Sequence, residues 1–399
     1  TVEAMSDSER RYVIDQTAAL TRRQSEVEDL EILPKVTLED VPKDHPYPEP
    51  IVTGPVTAYA AGCNGIVYHQ LIRELPMLNK ADWQLLPVLN QVAGELGFGQ
   101  QDYVEAQNLQ QSFTGGISAF ASVRASLANV DEAGAFFVLS SRSLARNASK
   151  MMTLLNETAQ GLRFDETARI AELVRQSNTR KQMGVVNQGH SLAMLAASAA
   201  FSKVSALNHQ LSGLGSLAYF KGLVAKIAEG DVASLAADLA GLYERFQQAP
   251  QSAMVIADEA EVPQWVDALL ARGTLTQSGP AQQRILADQT AIETAYVTET
   301  EVNFCAAAYR CPSESSAAVA AVQVLAAVLR NQYLHAEIRE KGGAYGGGAS
   351  YDAANGLFRL YSYRDPELRK TFAVFDGALD AVRSMKWSSN LIEEAVLGL

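Results

Sequence analysis

Residues 335–366 constrain the fold more tightly than any other part of the chain. An apolar segment, residues 315–341, has the composition of a long helix that leads into this stretch. Gly342 and Gly343 are predicted to end that helix, because glycine adopts the left-handed conformation at little cost. A strand is predicted to begin near Tyr345. A helix that passes through two glycines into a strand is typical of mixed α and β structure.

The stretch then returns as a hairpin. Asn355-Gly356 is a favoured pair for a tight two-residue turn, and residues 357–363 alternate in character as a second strand does. Asp365-Pro366 is predicted to cap the following helix. Ser362, Tyr363, Arg364 and Asp365 are candidates for the same wall as the hairpin, although capping and packing explain them equally well.

Two side chains with hydrogen-bond donors flank the glycine pair. Arg339 falls in the last predicted helical turn, and Tyr345 follows six residues later. A guanidinium and a phenol directed at one gap can both donate to a carbonyl or an oxyanion. Two interpretations stay open: a ligand-binding pair, or an arginine that caps the helix beside a half-buried strand tyrosine.

The motif IREKGGAYG, with the strand hairpin and SYRDP that follow it, resembles the C-terminal half of the presequence-protease branch of the pitrilysin/insulinase (inverzincin) zinc metallopeptidases. The resemblance covers nearly the whole chain and is densest over residues 302–380. It implies a His-x-x-Glu-His zinc motif in the N-terminal half of the enzyme. It also implies that the C-terminal half reaches the substrate with an Arg and a Tyr, here Arg339 and Tyr345.

The resemblance further implies an α+β fold of two tandem homologous domains of the LuxS/mitochondrial processing peptidase type. Each would be an antiparallel-rich sheet with helices on one face. Residues 1–45 are expected to form a helical hairpin arm and a proline-rich linker, residues 46–275 the third domain of the enzyme, and residues 285–399 the fourth. The fourth domain is expected to be incomplete, because the chain stops within a helical pattern.

Charge and composition exclude several classes of function. The net charge of −12 argues against nucleic-acid binding, which needs clustered Lys and Arg, and it suits cationic peptides. No apolar run reaches the length of a membrane span. The cysteines, Cys63, Cys305 and Cys311, are odd in number and lack CxxC spacing, which suits a reducing compartment.

Three other kinds of site are weak candidates. None of the five histidines, His45, His69, His190, His209 and His335, belongs to an HxxEH or HxxxH motif, so no catalytic zinc is predicted in this chain. Gly189-His190-Ser191-Leu192-Ala193 resembles a serine-hydrolase elbow, with His209 and Asp258 as conceivable partners, but it ends in Ala and lies in a helical stretch. The glycines at residues 342–348 follow a helix instead of preceding one, unlike a dinucleotide fingerprint.

The sequence and the resemblance together predict a non-catalytic half of a zinc metalloendopeptidase. The enzyme would degrade short unstructured peptides, basic ones among them, such as cleaved targeting presequences. Its partner would be the zinc-bearing N-terminal half, and Gly342, Gly343 and Gly346 would let the substrate backbone lie close to Arg339 and Tyr345. The expected location is the bacterial cytoplasm, or the mitochondrial matrix or plastid of a eukaryote. A non-catalytic scaffold or a peptide-binding subunit of the same fold is the alternative.

Overall fold

A computed structural model of the chain describes residues 5–25, 34, 36–44, 47–126, 129–276, 283, 293–314 and 316–399. It has two compact units, Thr1–His45 and Pro46–Leu399. The predicted boundary between the third and fourth domains, at residues 275–285, falls almost wholly outside the described residues. That division of the chain therefore stays a prediction.

The first unit contains helix α1, Asp7–Ser25. Ser6 and Glu9 begin it with reciprocal bonds: the Ser6 amide donates to the Glu9 carboxylate over 2.8 Å, and the Glu9 amide donates to the Ser6 hydroxyl over 3.4 Å. A short 3₁₀ turn, Leu38–Asp40, starts with the same kind of capping box at Thr37.

The second unit begins with a six-stranded sheet in the order β1-β2-β6-β3-β5-β4. Only the β2–β6 pair is parallel among these neighbours. The strands are β1 (Pro50–Thr53), β2 (Val56–Ala60), β3 (Ile66–Glu74), β4 (Ile117–Ala125), β5 (Ala133–Leu144) and β6 (Gln251–Ala257).

Helices cover one face of this sheet. Every second residue of the central strands is buried beneath them, for example Val67 and Leu71 of β3 and Val255 of β6. The helices are α2 (Lys80–Val92), α3 (Tyr103–Phe113), α4 (Ala148–Gly161), α5 (Thr167–Ala199), α6 (Lys203–Leu211), α7 (Leu214–Ala228), α8 (Val232–Gln247) and α9 (Val262–Leu270). Buried Arg73 of β3 ties the layers together by donating to carbonyls at the ends of α8 and α4.

A smaller sheet, in the order β7-β9-β8, lies between two layers of helix. Phe358 and Leu360 of β9 pack against a helical core that includes Ile338 and Phe375. Its elements are β7 (Ala306–Arg310), α10 (Val319–Leu329), a π-helical segment (Arg330–Glu340), β8 (Gly346–Asp352), β9 (Leu357–Tyr363), α11 (Arg369–Ser384) and α12 (Ser389–Leu397). A predicted strand over residues 291–297 is not formed by residues 293–297.

The two sheets share a repeated pattern of connections. In the first, a strand, a helix, a hairpin and another helix follow in the order β3, α2, β4, β5, α4, with β5 between β3 and β4. In the second, β7, α10, β8, β9 and α11 follow in the same order, with β9 between β7 and β8. A left-handed glycine, Gly116 or Gly343, precedes the hairpin each time. The α+β prediction of related domains is confirmed at the level of the fold.

Helix α5 joins the two sheets. Its first half contributes Ile170, Leu173 and Val174 to the core of the first sheet. Its second half lies on the face of the small sheet opposite α10 and α11, where His190 contacts the rings of β9. The backbone of α5 departs from helical geometry at Gln188 (φ −127°, ψ 24°), between these two contact regions. One helix that serves two cores explains why residues 46–399 form a single compact unit.

Candidate functional site

The helix that carries Arg339 ends in a Schellman motif. The Gly343 amide donates to the Arg339 carbonyl (3.0 Å), and the Ala344 amide donates to the Ile338 carbonyl (3.1 Å). Gly343 supplies the left-handed residue that this ending needs, with φ +79°. Since backbone amides satisfy these terminal carbonyls, the helix end has no need of the arginine side chain as a cap.

The three glycines of the predicted site meet different surroundings. A Cβ at Gly342 would lie 2.5 Å from the Ile338 carbonyl oxygen, so a side chain there is excluded by the last turn of the helix. Gly343 is constrained by its backbone conformation. A Cβ at Gly346 would have no atom within 4 Å, so the space beside Gly346 is open.

Arg339 and Tyr345 come together on the exposed side of this junction. The guanidinium carbon of Arg339 lies 5.8 Å from the centroid of the Tyr345 ring, and 66% of Tyr345 is exposed. Within the described part of the chain, neither the guanidinium nor the phenol hydroxyl has a hydrogen-bond partner. Their donors are therefore directed to solvent, where a carbonyl or an oxyanion can accept them.

The SYRDP segment supports Tyr345 from below. Arg364 adopts a left-handed conformation (φ +48°), and its carbonyl accepts the Tyr345 amide over 3.2 Å. The Tyr363 ring meets the Tyr345 ring edge to face at 5.7 Å. Ser362 and Asp365 are buried: the Ser362 hydroxyl accepts the Cys305 amide, and Asp365 accepts the Glu367 amide and the Thr371 hydroxyl. Of the four candidates, Tyr363 and Arg364 face the site, and Ser362 and Asp365 hold the turn.

A further set of rings adjoins Tyr363 that sequence reasoning did not connect with the site. The His190 ring on α5 lies 4.8 Å from the Tyr363 ring and 5.6 Å from the Tyr361 ring. Phe304 lies 5.8 Å from Tyr363. More than 100 positions separate His190 from β9 in the sequence, and no local pattern marks that contact in advance.

The candidate serine-hydrolase motif has another role in the fold. Gly189 lies inside α5, and a Cβ there would come within 2.4 Å of the Phe304 ring, so glycine is needed for that ring to pack. The Ser191 hydroxyl does lie 3.3 Å from His190 Nε2. However, the other proposed partners are engaged elsewhere: His209 contacts Tyr296, and Asp258 accepts the amides of Cys63 and Gly65.

The described residues offer no site for a metal ion. Nowhere in residues 5–25, 36–44, 47–126, 129–276, 293–314 and 316–399 do three His, Cys, Asp or Glu side chains come together in a way that could hold one. Burial lowers the pKa of His190 and of His209, and it lowers the pKa of His69 to about 4. No helix among the described residues is long and apolar enough to cross a membrane.

Two family models match the chain. The model for the region associated with peptidase M16 subfamily C matches residues 1–223, and the PreP C-terminal domain matches residues 293–398. Curated relatives include the mitochondrial presequence proteases of Yarrowia lipolytica (27% identical over 99% of this chain and 41% of the relative) and Xenopus tropicalis (26% identical over 100% and 42%). The chain thus spans about two fifths of the length of these relatives.

Solved structures share the fold at low sequence identity. A conserved protein from Enterococcus faecalis is 15% identical, with a TM-score of 0.58 over 86% of this chain and 82% of that one. A peptidase M16 inactive domain from Pseudomonas fluorescens is also 15% identical, with a TM-score of 0.51 over 88% of this chain and 86% of that one. Because one family model covers more than half of the chain, as the motif at residues 338–346 led us to expect, the protein belongs to the family associated with peptidase M16 subfamily C.

Proposed function

We propose that this chain is the substrate-binding half of a zinc metalloendopeptidase that degrades short unstructured peptides such as cleaved targeting presequences. The relatives that carry the name presequence protease extend well beyond the region matched here. The missing partner in this proposal is the N-terminal half of the same enzyme, and the chain by itself is inactive.

The observation that carries the proposal is the pair of unengaged donors at the end of the π-helical segment. Peptide hydrolysis passes through a tetrahedral oxyanion, which is stabilised by donors that are already in place. The Arg339 guanidinium and the Tyr345 hydroxyl lie side by side on an exposed surface, with the open space beside Gly346 next to them. In the closed enzyme these two groups bind the substrate carbonyl and then the oxyanion.

The residues described in this chain do not fit a zinc site, so we assign zinc to the N-terminal half. Zinc would supply Lewis-acid activation of water there. The contribution of this chain is to bind and orient the peptide and to donate hydrogen bonds.

The acidic surface charge supports a preference for cationic peptides over nucleic acid. A net charge of −12 raises the local concentration of basic peptides and repels phosphate backbones. The proposed location is the bacterial cytoplasm, or the mitochondrial matrix or plastid if the source is eukaryotic. Relatives with mitochondrial and chloroplastic names support the second.

The test is to mix the chain with a separately produced N-terminal half and zinc, and to measure cleavage of an unstructured peptide. We expect cleavage only when all three are present. Arg339→Ala and Tyr345→Phe should each lower turnover by roughly a hundredfold to a thousandfold, with zinc content unchanged. Matched controls are Arg383→Ala on α11 and Tyr309→Phe on β7, which lie outside the proposed site.

The outcomes separate the enzyme from its alternatives. If the assembled halves bind zinc and do not cleave any unstructured peptide, a non-catalytic scaffold replaces the enzyme as the proposed function. Unchanged turnover in both Arg339→Ala and Tyr345→Phe would remove these residues from the mechanism.

A further inference from the structure

A row of rings extends from the Arg339–Tyr345 pair to helix α5. Tyr345 meets Tyr363 at 5.7 Å and 79°, and Tyr363 meets His190 at 4.8 Å and 69°, so both contacts are edge to face. Tyr345 is exposed, and Tyr363 and His190 are half-buried. The row therefore offers apolar ring surface to a molecule bound beside Arg339 and Tyr345.

The position of His190 in this row is fixed by the packing around it. Phe304 occupies the space that a side chain at residue 189 would need, and α5 departs from helical geometry one residue earlier, at Gln188. On the other side, the His190 ring rests against Tyr361 at 5.6 Å. Its Nδ1 atom is buried without a hydrogen-bond partner among the described residues, and its Nε2 faces the Ser191 hydroxyl at 3.3 Å.

The charges beside the row select the kind of side chain that can bind to it. Arg339 lies against the Tyr345 ring at 5.8 Å, and Arg364 lies against the Tyr363 ring at 5.4 Å. Two guanidinium groups thus already occupy cation–π positions, and a third cation would be repelled. Burial also lowers the pKa of His190, which keeps that ring neutral near pH 7.

We propose that Tyr345, Tyr363 and His190 form a subsite for an uncharged aromatic side chain of the bound peptide, with His190 as a specificity-determining residue. This inference rests on the proposed function, because it takes a peptide to be the ligand. The acidic molecule as a whole attracts basic peptides, and this subsite selects an aromatic residue within them.

The test is equilibrium binding of labelled peptides to the 399-residue chain by fluorescence anisotropy. Three peptides of Gly and Ser carry one central Phe, Ala or Lys. We expect the Phe peptide to bind most tightly and the Lys peptide to gain nothing over the Ala peptide. His190→Ala should lower the Phe-to-Ala preference by roughly two- to tenfold, the value of one aromatic contact. His190→Phe keeps a ring in place and should keep the preference.

His335→Ala is the matched control, because His335 is exposed and pairs with Glu340 away from the rings. Tyr345→Ala is a second variant that does not threaten folding, since that residue is largely exposed, and it should also lower the preference. A preference for Lys, or an unchanged Phe-to-Ala ratio in both His190→Ala and Tyr345→Ala, would overturn the subsite.

Tyr345→Phe distinguishes this inference from the proposed function. It keeps the ring and loses the hydroxyl, so the aromatic preference in binding should survive while turnover of the assembled enzyme falls. Loss of the preference with normal turnover would instead reject the subsite, and with it the role of the ring row.

Discussion

Gly343 and Gly346 lie three residues apart, and a side chain would have a different effect at each. At Gly343 the left-handed backbone disfavours any side chain, although space is not the obstacle, since a Cβ there would meet Pro366 Cγ at 3.7 Å, an ordinary contact. At Gly346 the backbone φ is not positive, and the space is open. The first glycine is needed for the helix ending, and the second leaves room on the proposed binding surface.

Gly343→Ala should therefore lower the free energy of unfolding by about 1–2 kcal/mol, the cost of a left-handed alanine. Gly346→Ala should leave stability within about 0.5 kcal/mol, as surface substitutions do, and should weaken peptide binding if substrate occupies that space. Chemical denaturation and anisotropy binding measure the two effects. Equal destabilisation by both substitutions would contradict this division of roles.

His69 makes stability depend on pH. It is 1% exposed, and its Nδ1 lies 3.1 Å from the Met254 carbonyl oxygen. Burial, the largest cause, lowers its pKa from 6.5 to about 4 in the folded chain. The unfolded chain thus takes up a proton first as the pH falls. The stabilising contribution is complete above pH 6.5 and is lost progressively down to about pH 4.

Between pH 7 and pH 5 this group should cost about 2 kcal/mol of unfolding free energy. His69→Gln cannot take up the proton and should reduce the loss of stability over that range by the same amount, measured by urea denaturation at both pH values. His335→Gln, at an exposed position, is the control. An identical pH dependence in His69→Gln and the parent chain would show that His69 is not the source.

At the residue scale, the sequence identifies the Arg339–Tyr345 pair but not its surroundings. The two residues are separated by six positions, so one helix ending fixes both. The partners of Tyr363, namely His190 and Phe304, come from distant parts of the chain and meet it only through tertiary packing. Nothing in the sequence indicates the positive φ of Arg364, because non-glycine residues rarely adopt it.

At the scale of elements, helix α5 offers two glycines for comparison. Gly189 is packed against Phe304, whereas a Cβ at Gly184 would have no atom within 4 Å. Gly184→Ala should raise the unfolding midpoint, because alanine is favoured over glycine in a helix by about 1 kcal/mol. Gly189→Ala should lower it, because the Phe304 ring must move.

Thermal unfolding of the two variants beside the parent chain checks this pair. Ring contacts that depend on the same packing give a second readout: Gly189→Ala should also weaken the aromatic preference in peptide binding. Stabilisation by both substitutions would mean that α5 does not hold the small sheet at Gly189.

The hairpin of β8 and β9 shows where local patterns suffice and where they fail. The strands and their order follow from alternation and from the glycines, as the sequence predicts. The predicted two-residue turn is wrong in detail: Asp352 pairs with Leu357, which leaves a four-residue loop in which only Gly356 has positive φ. Asn355 instead donates its side-chain amide to Asp352, an interaction that the Asn-Gly pair does not reveal.

Other boundaries depend on tertiary context. The helix over residues 315–341 is predicted as one element, but its second half is π-helical, with the Lys341 amide donating to the Ala336 carbonyl five residues back. Helix α11 begins at Arg369 and not at Pro366 as predicted, because Asp365 binds the Thr371 hydroxyl from outside the helix. The sequence pattern also does not predict helices α3, α6 and α7.

At the scale of the whole molecule, the small sheet is held between its own helices and α5. This arrangement fixes the Arg339–Tyr345 pair relative to the larger sheet and makes residues 46–399 one compact unit. A half-enzyme that must present two donors to a distant reacting bond gains from such rigidity, since small displacements of catalytic groups are costly. We therefore expect the two donors to act as one functional unit.

A double-mutant cycle on the assembled enzyme tests this most directly. Turnover of one unstructured peptide is measured for the parent, Arg339→Ala, Tyr345→Phe and the double variant. Donors to the same oxyanion act as a unit, so the double variant should lose little more than the worse single variant. Turnover losses that multiply, or no loss in either single variant, would contradict the claim that Arg339 and Tyr345 bind one reacting group.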